Sequence, residues 1–245
     1  MSTLETEIIV VGGGGAGLMA AHAAASRGCS VVVLEKAARL GGTTALSVGT
    51  ICCSGTPHQK RAGINDCPDD HFEDLGLCAG TLERRDNLAL RRLLVDELPA
   101  TFRQLLDLGI EFVGPIEEKP HRVPRVHAIV PHARGYIRQL YRACKARNVV
   151  FQTGARVTSL LSAPDGGVAG ARVESAQGEA REIVATKAVI LATGDFSSAD
   201  REFKSRFMTG GLLEIGGINP NSTGDGQRLG EAVGGTIVNG DLAWG

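Results

Sequence analysis

Ile8-Ile9-Val10-Val11-Gly12-Gly13-Gly14-Gly15-Ala16-Gly17 is the stretch whose reading decides the fold. Four consecutive apolar residues read as a short buried strand. They run into Gly-x-Gly-x-x-Gly at Gly12, Gly14 and Gly17, and the helix-forming stretch Leu18–Arg27 follows at once. In this setting the glycines provide a tight turn, close backbone approach to a pyrophosphate, and close helix–strand contact. The helix N-terminus then offers N–H groups and a positive dipole end to phosphates. A second strand, Ser30–Leu34, ends in Glu35, 18 residues beyond Gly17. A carboxylate about 20 residues on is the group that holds a ribose 2′-hydroxyl, and it repels a 2′-phosphate. Residues 7–35 therefore read as a βαβ unit for an unphosphorylated dinucleotide. The alternative is a βαβ unit with an incidental glycine turn and a surface glutamate.

The residues after Glu35-Lys36 bear on which dinucleotide. They are Ala37-Ala38-Arg39-Leu40-Gly41-Gly42-Thr43-Thr44-Ala45-Leu46-Ser47-Val48-Gly49. An NAD site usually continues into a helix here, whereas a second glycine-rich loop suits a longer ligand with ribityl and isoalloxazine parts. With these motifs the chain resembles the fumarate reductase/succinate dehydrogenase flavoprotein family, which includes the 3-ketosteroid dehydrogenases. Two later runs extend the resemblance along nearly the whole chain. Lys187-Ala188-Val189-Ile190-Leu191-Ala192-Thr193-Gly194-Asp195-Phe196 is similar to the family's strand ending in Ala-Thr-Gly-Gly-Phe, with Asp195 in place of the second glycine. Asn219-Pro220-Asn221-Ser222-Thr223-Gly224-Asp225-Gly226 is similar to its Asn-Pro-x-x-Thr-Gly-Asp-Gly turn, which opens a helix.

The resemblance implies FAD as cofactor. Glu35 would hold the adenosine ribose, and Gly12, Gly14, Gly15, Ala16 and Gly17 would face the pyrophosphate. Thr43, Thr44 and Gly49 would lie along the ribityl chain and flavin, Asp225 near the cofactor, and the Val157 backbone at the adenine. Lys36, Gly42, Ser47, Ala192, Thr193 and Gly194 complete the expected cofactor-binding set. Membrane-bound family members carry a flavin-tethering histidine where this chain has Thr43, and no histidine occurs between His22 and His58. The FAD is therefore expected to be non-covalent.

Composition is that of a soluble α/β protein. Hydrophobic residues make up 43% and charged residues 22% of 245 residues, both ordinary for a globular domain. A net charge of −1 gives no general attraction to nucleic acid. No apolar run approaches the roughly 20 residues of a membrane span. The acidic start, Met1-Ser2-Thr3-Leu4-Glu5-Thr6-Glu7, is unlike a signal peptide. Cys29, Cys52, Cys53, Cys67, Cys78 and Cys144 form no C-x-x-C pair and no metal-ligand spacing, so they read as reduced thiols and no metal is expected. Adjacent Cys52 and Cys53 offer a minor redox alternative. Together these features point to a cytoplasmic protein.

The whole chain, 1–245, reads as the first segment of a Rossmann-like FAD-binding domain. The expected architecture is a parallel sheet with helices on both faces and a three-stranded antiparallel meander, incomplete at the C-terminus. A helical insertion is expected over about 55–147. It contains an irregular stretch from Gly55 to Arg85 with a helix over Asp69–Cys78, then helices Asn87–Val95, Pro99–Leu108 and His132–Arg147. Val149–Phe151 returns as a strand. Arg156–Ser162, Val168–Glu174 and Glu179–Ala185 form the meander over 155–186, and Lys187–Ala192 closes the sheet.

Between Lys119 and Arg147 there are eight Lys or Arg and no Asp or Glu. Arg134, Arg138 and Arg142 make one helix stripe, read as a solvated face. Two arginines and two histidines on the proline-stiffened loop His121-Arg122-Val123-Pro124-Arg125-Val126-His127 suit an anion or carboxylate. Arg122, Arg125 and His127 are thus candidate substrate residues; a plain surface loop or a contact with a further domain explains them as well. The family's capping domain and the arginine that delivers a proton belong downstream of the Thr-Gly-Asp-Gly helix, and this sequence ends at Trp244-Gly245. No residue matches that proton donor, so the catalytic residues are unknown. A cap from a longer chain or partner chain is expected. Three readings stand. One is the FAD-binding part of an oxidoreductase that reduces or dehydrogenates a C–C bond beside a carbonyl or carboxylate of a small molecule. The second is a non-catalytic FAD-binding module or fragment, and the third, less favoured, an NAD-dependent dehydrogenase.

Overall fold

A computed structural model describes residues 4–242. The first three residues of the acidic start, and Ala243 with the terminal Trp244-Gly245, lie outside the described residues. In chain order the elements are β1 (Leu4–Val11), α1 (Gly15–Ser26), β2 (Val31–Glu35), β3 (Thr50–Cys52), α2 (Pro57–Arg61), α3 (Pro68–Ala79), α4 (Leu88–Asp107), β4 (Glu111–Ile116), β5 (Val126–Val130), α5 (Arg134–Lys145), β6 (Val150–Thr153), β7 (Ala155–Ser162), β8 (Val168–Ser175), β9 (Ala180–Leu191), α6 (Arg201–Ser205) and α7 (Asp225–Ala232). They fall into two compact units. One comprises the residues up to Ser47 and those from Tyr136 onward, and the other is Val48–Gly135.

The first unit is built on a six-stranded sheet in the order β6-β2-β1-β9-β8-β7. Strands β6, β2, β1 and β9 are parallel, and β8 and β7 add antiparallel. Parallel strands buried on both faces need side chains that are apolar all along, and β1 and β2 have them. Ile8 and Val10 point to one face, where they pack with Val31, Val33, Ala21 of α1 and Cys144 of α5. Ile9 and Val11 point to the other, where they pack with Val32, Leu34, Val157, Val173, Ile183 and Leu229 of α7. Each fully buried side chain of this size contributes about 1.5–3 kcal/mol. Helices therefore cover one face, while the antiparallel strands and α7 cover the other.

The sequence divides residues 179–192 into two strands, but they form the single strand β9. Its first part pairs antiparallel with β8 from Ala180 to Val184, and its later part runs parallel to β1 up to Leu191. The polar pair Thr186-Lys187 breaks the apolar pattern at the register shift, where β1 advances from Thr6 to Ile8 while β9 advances from Ala185 to Ala188. Lys187 Nζ is fixed there by Glu7 Oε1 at 2.6 Å.

The second unit corrects the expectation of a helical insertion, because it contains the antiparallel sheet β3-β5-β4. These strands are short, and β3 and β4 bury only one residue between them, so their alternation is weak in sequence. The irregular stretch also holds α2, started by a capping box in which the Gln59 N–H donates to Thr56 Oγ1 at 3.0 Å and the Thr56 N–H to Gln59 Oε1 at 3.2 Å. The two helices expected on either side of residues 96–98 are one helix, α4, with Pro99 inside it. Val95, Phe102 and Leu105 share its buried face across the proline, and Phe102 stacks on Phe112 at 4.6 Å between ring centroids. Burial of that face outweighs the single backbone hydrogen bond the proline removes.

Candidate functional site

In the first unit, the carboxyl ends of β1, β2 and β9 converge at the glycine run. The Gly12 N–H donates to the Leu34 carbonyl at 2.8 Å, and the Ala192 N–H to the Val11 carbonyl at 2.8 Å. Ligands of open α/β sheets bind outside such strand ends. Gly12 has φ +108°, and a Cβ there would collide with the Ala192 carbonyl. A Cβ on Gly17 would collide with the Gly12 carbonyl oxygen, so this glycine sets the approach of α1 to the turn. Gly14 differs. It precedes α1 with φ −79°, and the nearest atom to a Cβ there is the Gly41 carbonyl oxygen at 3.8 Å. Gly15, Ala16 and Gly17 form the first helical turn rather than a loop, so the helix starts earlier than its sequence suggests. That turn has no acidic residue and no side-chain cap from Gly14. First-turn N–H groups have no intrahelical acceptor, and together they make an anion-binding end.

Glu35 is 8% exposed at the end of β2. Its Oε2 accepts the Gly13 N–H and its Oε1 the Ala37 N–H, both at 2.8 Å. Each carboxylate oxygen has a second acceptor direction, which suits sugar hydroxyls. The second glycine loop lies against the first: the Gly41 N–H donates to the Gly13 carbonyl at 2.9 Å, and the Gly15 N–H to Thr44 Oγ1 at 3.1 Å. Gly42 (φ +50°) leads into a short helical turn over Thr43–Leu46, and exposed Ser47 closes it by donating from Oγ to the Thr44 carbonyl at 2.9 Å.

Thr43 is held by residues that spacing alone did not connect to it. Its Oγ1 donates to Asp195 Oδ2 at 3.2 Å and accepts from Asn219 Nδ2 at 3.2 Å. Ser222 Oγ, nearly fully buried, donates to the same Asp195 oxygen at 3.1 Å. Desolvation opposes ionisation of Asp195, but hydrogen bonds from Ser197, Ser222 and Thr43 outweigh it and hold the carboxyl below its usual range. The signal was present in the sequence as the departure at position 195, in a run that otherwise matched.

Lys36 and Asp225 meet directly. Lys36 Nζ donates to Asp225 Oδ2 at 3.0 Å and to Thr223 Oγ1 at 2.5 Å, and Arg156 donates to Asp225 Oδ1 at 3.1 Å. Burial of Asp225 is again outweighed by these partners, so its pKa is lowered. Thr193 sets a close approach to α7, since a Cβ on Gly226 would collide with its hydroxyl; Gly194 next to it has φ +81°. Val157 is a core residue of β7, 5% exposed. Gly49 belongs to the second unit, where its φ of +76° and its proximity to Ile129 and Ala133 account for the glycine.

The basic loop also belongs to the second unit, and it has anions of its own. Arg125 is completely buried, bidentate to Asp66 at 2.7 Å through Nε and Nη2, and its Nη1 donates to Asp74. Arg122 reaches Asp74 at 2.8 Å, Asp70 at 2.6 Å and Glu73 at 2.7 Å. His127 is fully buried, with Nε2 3.0 Å from Thr56 Oγ1, and burial lowers its pKa. The loop is therefore tied inward rather than presented as an open basic patch. The carboxylates that do this, Asp66 just before α3 and Asp70, Glu73 and Asp74 within it, lie 48 to 59 residues upstream, beyond any local pattern.

Burial pushes the Cys52 thiol up to about 11, aided by Glu118 and Cys78, and the Cys53 thiol up to about 12, aided by Asp66. Neither is an activated thiolate as the unit stands. Spacing showed no metal-ligand set, yet the fold places ligand atoms of Cys52, Glu118 and His121 within 4.8 Å of one another.

A family model described as FAD binding domain matches residues 7–245. The chain belongs to this FAD-binding family. It is 29% identical over 242 residues to a fumarate reductase (cytochrome) of Shewanella frigidimarina, covering 94% of this chain and 40% of that protein. It is 31% identical to the NADH:fumarate oxidoreductase of Klebsiella pneumoniae, covering 96% of this chain and 25% of the relative. A shorter match, 44% identical over 81 residues, links 33% of the chain to 16% of a 3-oxosteroid 1-dehydrogenase of Rhodococcus opacus. Among solved structures, the open conformation of a flavocytochrome c3 fumarate reductase superposes with a TM-score of 0.85 at 26% identity, over 96% of this chain and 41% of that one. The family resemblance read from the glycine runs is thus established, and the cofactor is FAD. The chain spans well under half the length of these relatives. No helix among the described residues is long and apolar enough to cross a membrane.

Proposed function

We propose that this chain is the FAD-holding part of an oxidoreductase that reduces or dehydrogenates a C–C bond adjacent to a carbonyl or carboxylate of a small molecule. The observation that carries it is the joint frame of two glycine loops and Glu35: the α1 N-terminus, the open side of Gly14, and a carboxylate fixed by Gly13 and Ala37. FAD fits these residues. The first-turn N–H groups of Ala16 and Gly17 would take the pyrophosphate, beside Gly15, whose N–H is engaged by Thr44, and Glu35 would take the adenosine ribose. Thr43 and Thr44, on their anchored turn, would line the ribityl side with Gly42 and Ser47. Ala192, Thr193 and Gly194 at the end of β9, the ion-paired Lys36 and Asp225, and the Val157 backbone complete the proposed set.

Bound FAD supplies hydride transfer; the chain's residues hold it and orient it. Thr43 has no imidazole with which to tether the flavin, so the binding is non-covalent. Arg122 and Arg125, already paired with Asp66, Asp70, Glu73 and Asp74, are left out of the substrate site in this reading. The proton donor and the cap over the substrate would come from sequence beyond these residues or from a partner chain.

Absorbance of the purified protein tests the cofactor reading: flavin bands that pass into the supernatant on acid precipitation are expected. Colour that stays with the pellet would contradict non-covalent binding. With FAD loaded, a dye-linked assay against fumarate-like and 3-keto-steroid-like substrates, with and without the longer sequence, tests the chemistry. Turnover only with the longer sequence is the expected outcome.

A further inference from the structure

The second unit brings three metal-ligating side chains, Cys52, Glu118 and His121, to one place and sets a fourth, Cys78, beside the histidine. Cys52 ends β3, Cys78 lies in the last turn of α3, and Glu118 and His121 lie in the loop between β4 and β5. Cys52 Sγ is 3.4 Å from His121 Nε2 and 4.0 Å from Glu118 Oε2, and Cys78 Sγ is 3.9 Å from the same His121 nitrogen. Zinc bonds of about 2.0–2.3 Å at tetrahedral angles put neighbouring ligand atoms about 3.5 Å apart. These three separations lie within about half an ångström of that value, and the ligand atoms of Cys52, Glu118 and His121 all lie within 4.8 Å of one another. We propose that Cys52, Glu118 and His121, with Cys78 as the fourth ligand, form a tetrahedral site for a zinc-class divalent cation.

Two further observations favour a cation. Around this loop Asp66, Asp70, Glu73, Asp74 and Glu118 lie with Arg122 and Arg125, and Glu117 with Lys119, so these residues carry an excess of negative charge. The histidine also has a supporting group of the kind metal ligands use. A metal on Nε2 places the ring proton on Nδ1, and Asp74 Oδ2, 4.0 Å from that atom, is the carboxylate beside it. The buried guanidinium of Arg125, 3.2 Å from Nδ1, would then bond to Asp74 and Asp66 alone. As the bonds form, each cysteine gives its proton to solvent and the sulfur pair goes to the metal; nothing is oxidised or reduced. The softness of two sulfurs with one imidazole selects zinc-class ions over magnesium or calcium. The site would pin β3, α3 and the β4–β5 loop together, independently of the flavin.

The test is a Co²⁺ titration of the metal-free full chain, recorded as a difference spectrum so that flavin absorbance cancels. The expected result is a thiolate-to-cobalt charge-transfer band with the visible bands of tetrahedral Co²⁺, saturating at about one equivalent and bleached by Zn²⁺. Glu118→Ala and Cys78→Ser alter exposed side chains, so they keep the fold and should weaken binding at least tenfold. Cys52→Ser should remove the band or leave that of a single thiolate, and Cys67→Ser should leave it unchanged. No charge-transfer band in the wild-type chain overturns the proposal, and so does a band of equal affinity in Glu118→Ala, Cys78→Ser and Cys52→Ser.

Discussion

The Gly13 N–H donates to the buried Glu35 carboxylate at 2.8 Å, joining the turn after β1 to the end of β2 through one side chain. Glu35 fixes the glycine turn, and in the proposed site it would also present the acceptor for the adenosine ribose. Glu35→Gln keeps one acceptor oxygen but loses the charge, and a hydrogen bond to a charged group is worth about 1.5–3 kcal/mol. FAD affinity should fall about tenfold or more, and the thermal midpoint should fall as well, because the amide NH2 that replaces one oxygen faces the Gly13 or the Ala37 N–H. Fluorescence titration of apoprotein with FAD measures this. An unchanged dissociation constant would remove Glu35 from the proposed site.

Gly14 and Gly17 should separate binding from folding. A Cβ on Gly17 has no room beside the Gly12 carbonyl, whereas a Cβ on Gly14 meets nothing closer than 3.8 Å, at a backbone conformation open to any residue. Gly17→Ala should lower the thermal midpoint and impair folding. Gly14→Ala should leave the apoprotein as stable as wild type and lose most FAD, because the methyl occupies the approach to the pyrophosphate. Equal destabilisation by both would show that Gly14 is a packing residue.

Asp74 should give the second unit an acid-sensitive contribution. Burial disfavours its charge, but the Arg122 backbone N–H and the Arg122 and Arg125 side chains more than compensate, lowering its pKa from 3.8 to about 2. A folded-state pKa below the unfolded one stabilises above pH 3.8, and that stability is lost as pH falls toward 2. The side chain is completely buried, and the shift corresponds to about 2 kcal/mol at neutral pH. Asp74→Asn should be destabilised by at least that amount in urea unfolding at pH 7, since a buried guanidinium loses a partner. The gap from wild type should narrow between pH 4 and pH 2. A pH-independent difference would show that the pair does not titrate this way.

The same residues show what the sequence could and could not reveal. Strand β1, the glycine turn and Glu35 were legible because their spacing is local and each residue type has one physical reason to be there. The Arg122–Asp74 and Arg125–Asp66 pairs were not: the basic loop has no acid within its own stretch, and its carboxylates arrive only when α3 folds against it. The Thr43–Asp195–Ser222 cluster was hidden likewise, since it joins three motifs that had been read separately. The sheet β3-β5-β4 escaped because strands of three to six residues, two of which bury only one residue between them, carry little periodicity.

Pro99 offers a direct check on why α4 runs unbroken. An interior proline costs about 3 kcal/mol relative to alanine when nothing compensates, through a lost bond to the carbonyl four residues earlier and a ring clash. That carbonyl belongs to Val95, itself fully buried. Pro99→Ala should stabilise the protein by about 1–3 kcal/mol in urea unfolding, without altering FAD binding. A destabilised variant would mean that the proline ring at this position is required for packing Phe102 against Phe112 and His127.

Asp195 is the sharpest departure from the resembled family's pattern, and its partners define what it does. Its Oδ2 accepts from Thr43 and Ser222, and its Oδ1 from the Ser197 N–H at 2.9 Å, so one carboxylate ties the Thr43–Leu46 turn to the end of β9 and to the Asn219–Ser222 turn. Asp195→Ala leaves those donors without their acceptor, and the turn that presents Thr43 and Thr44 loses its anchor. Limited proteolysis of the apoprotein should then cut within residues 41–47 several times faster than in wild type. FAD affinity should fall about three- to tenfold, the loss of roughly one hydrogen bond's free energy. Asp195→Asn keeps an acceptor toward the hydroxyls and should lie between the two. If both variants match wild type in cleavage and affinity, the carboxylate is an incidental surface acid and Thr43 is positioned by Asn219 and Ser222.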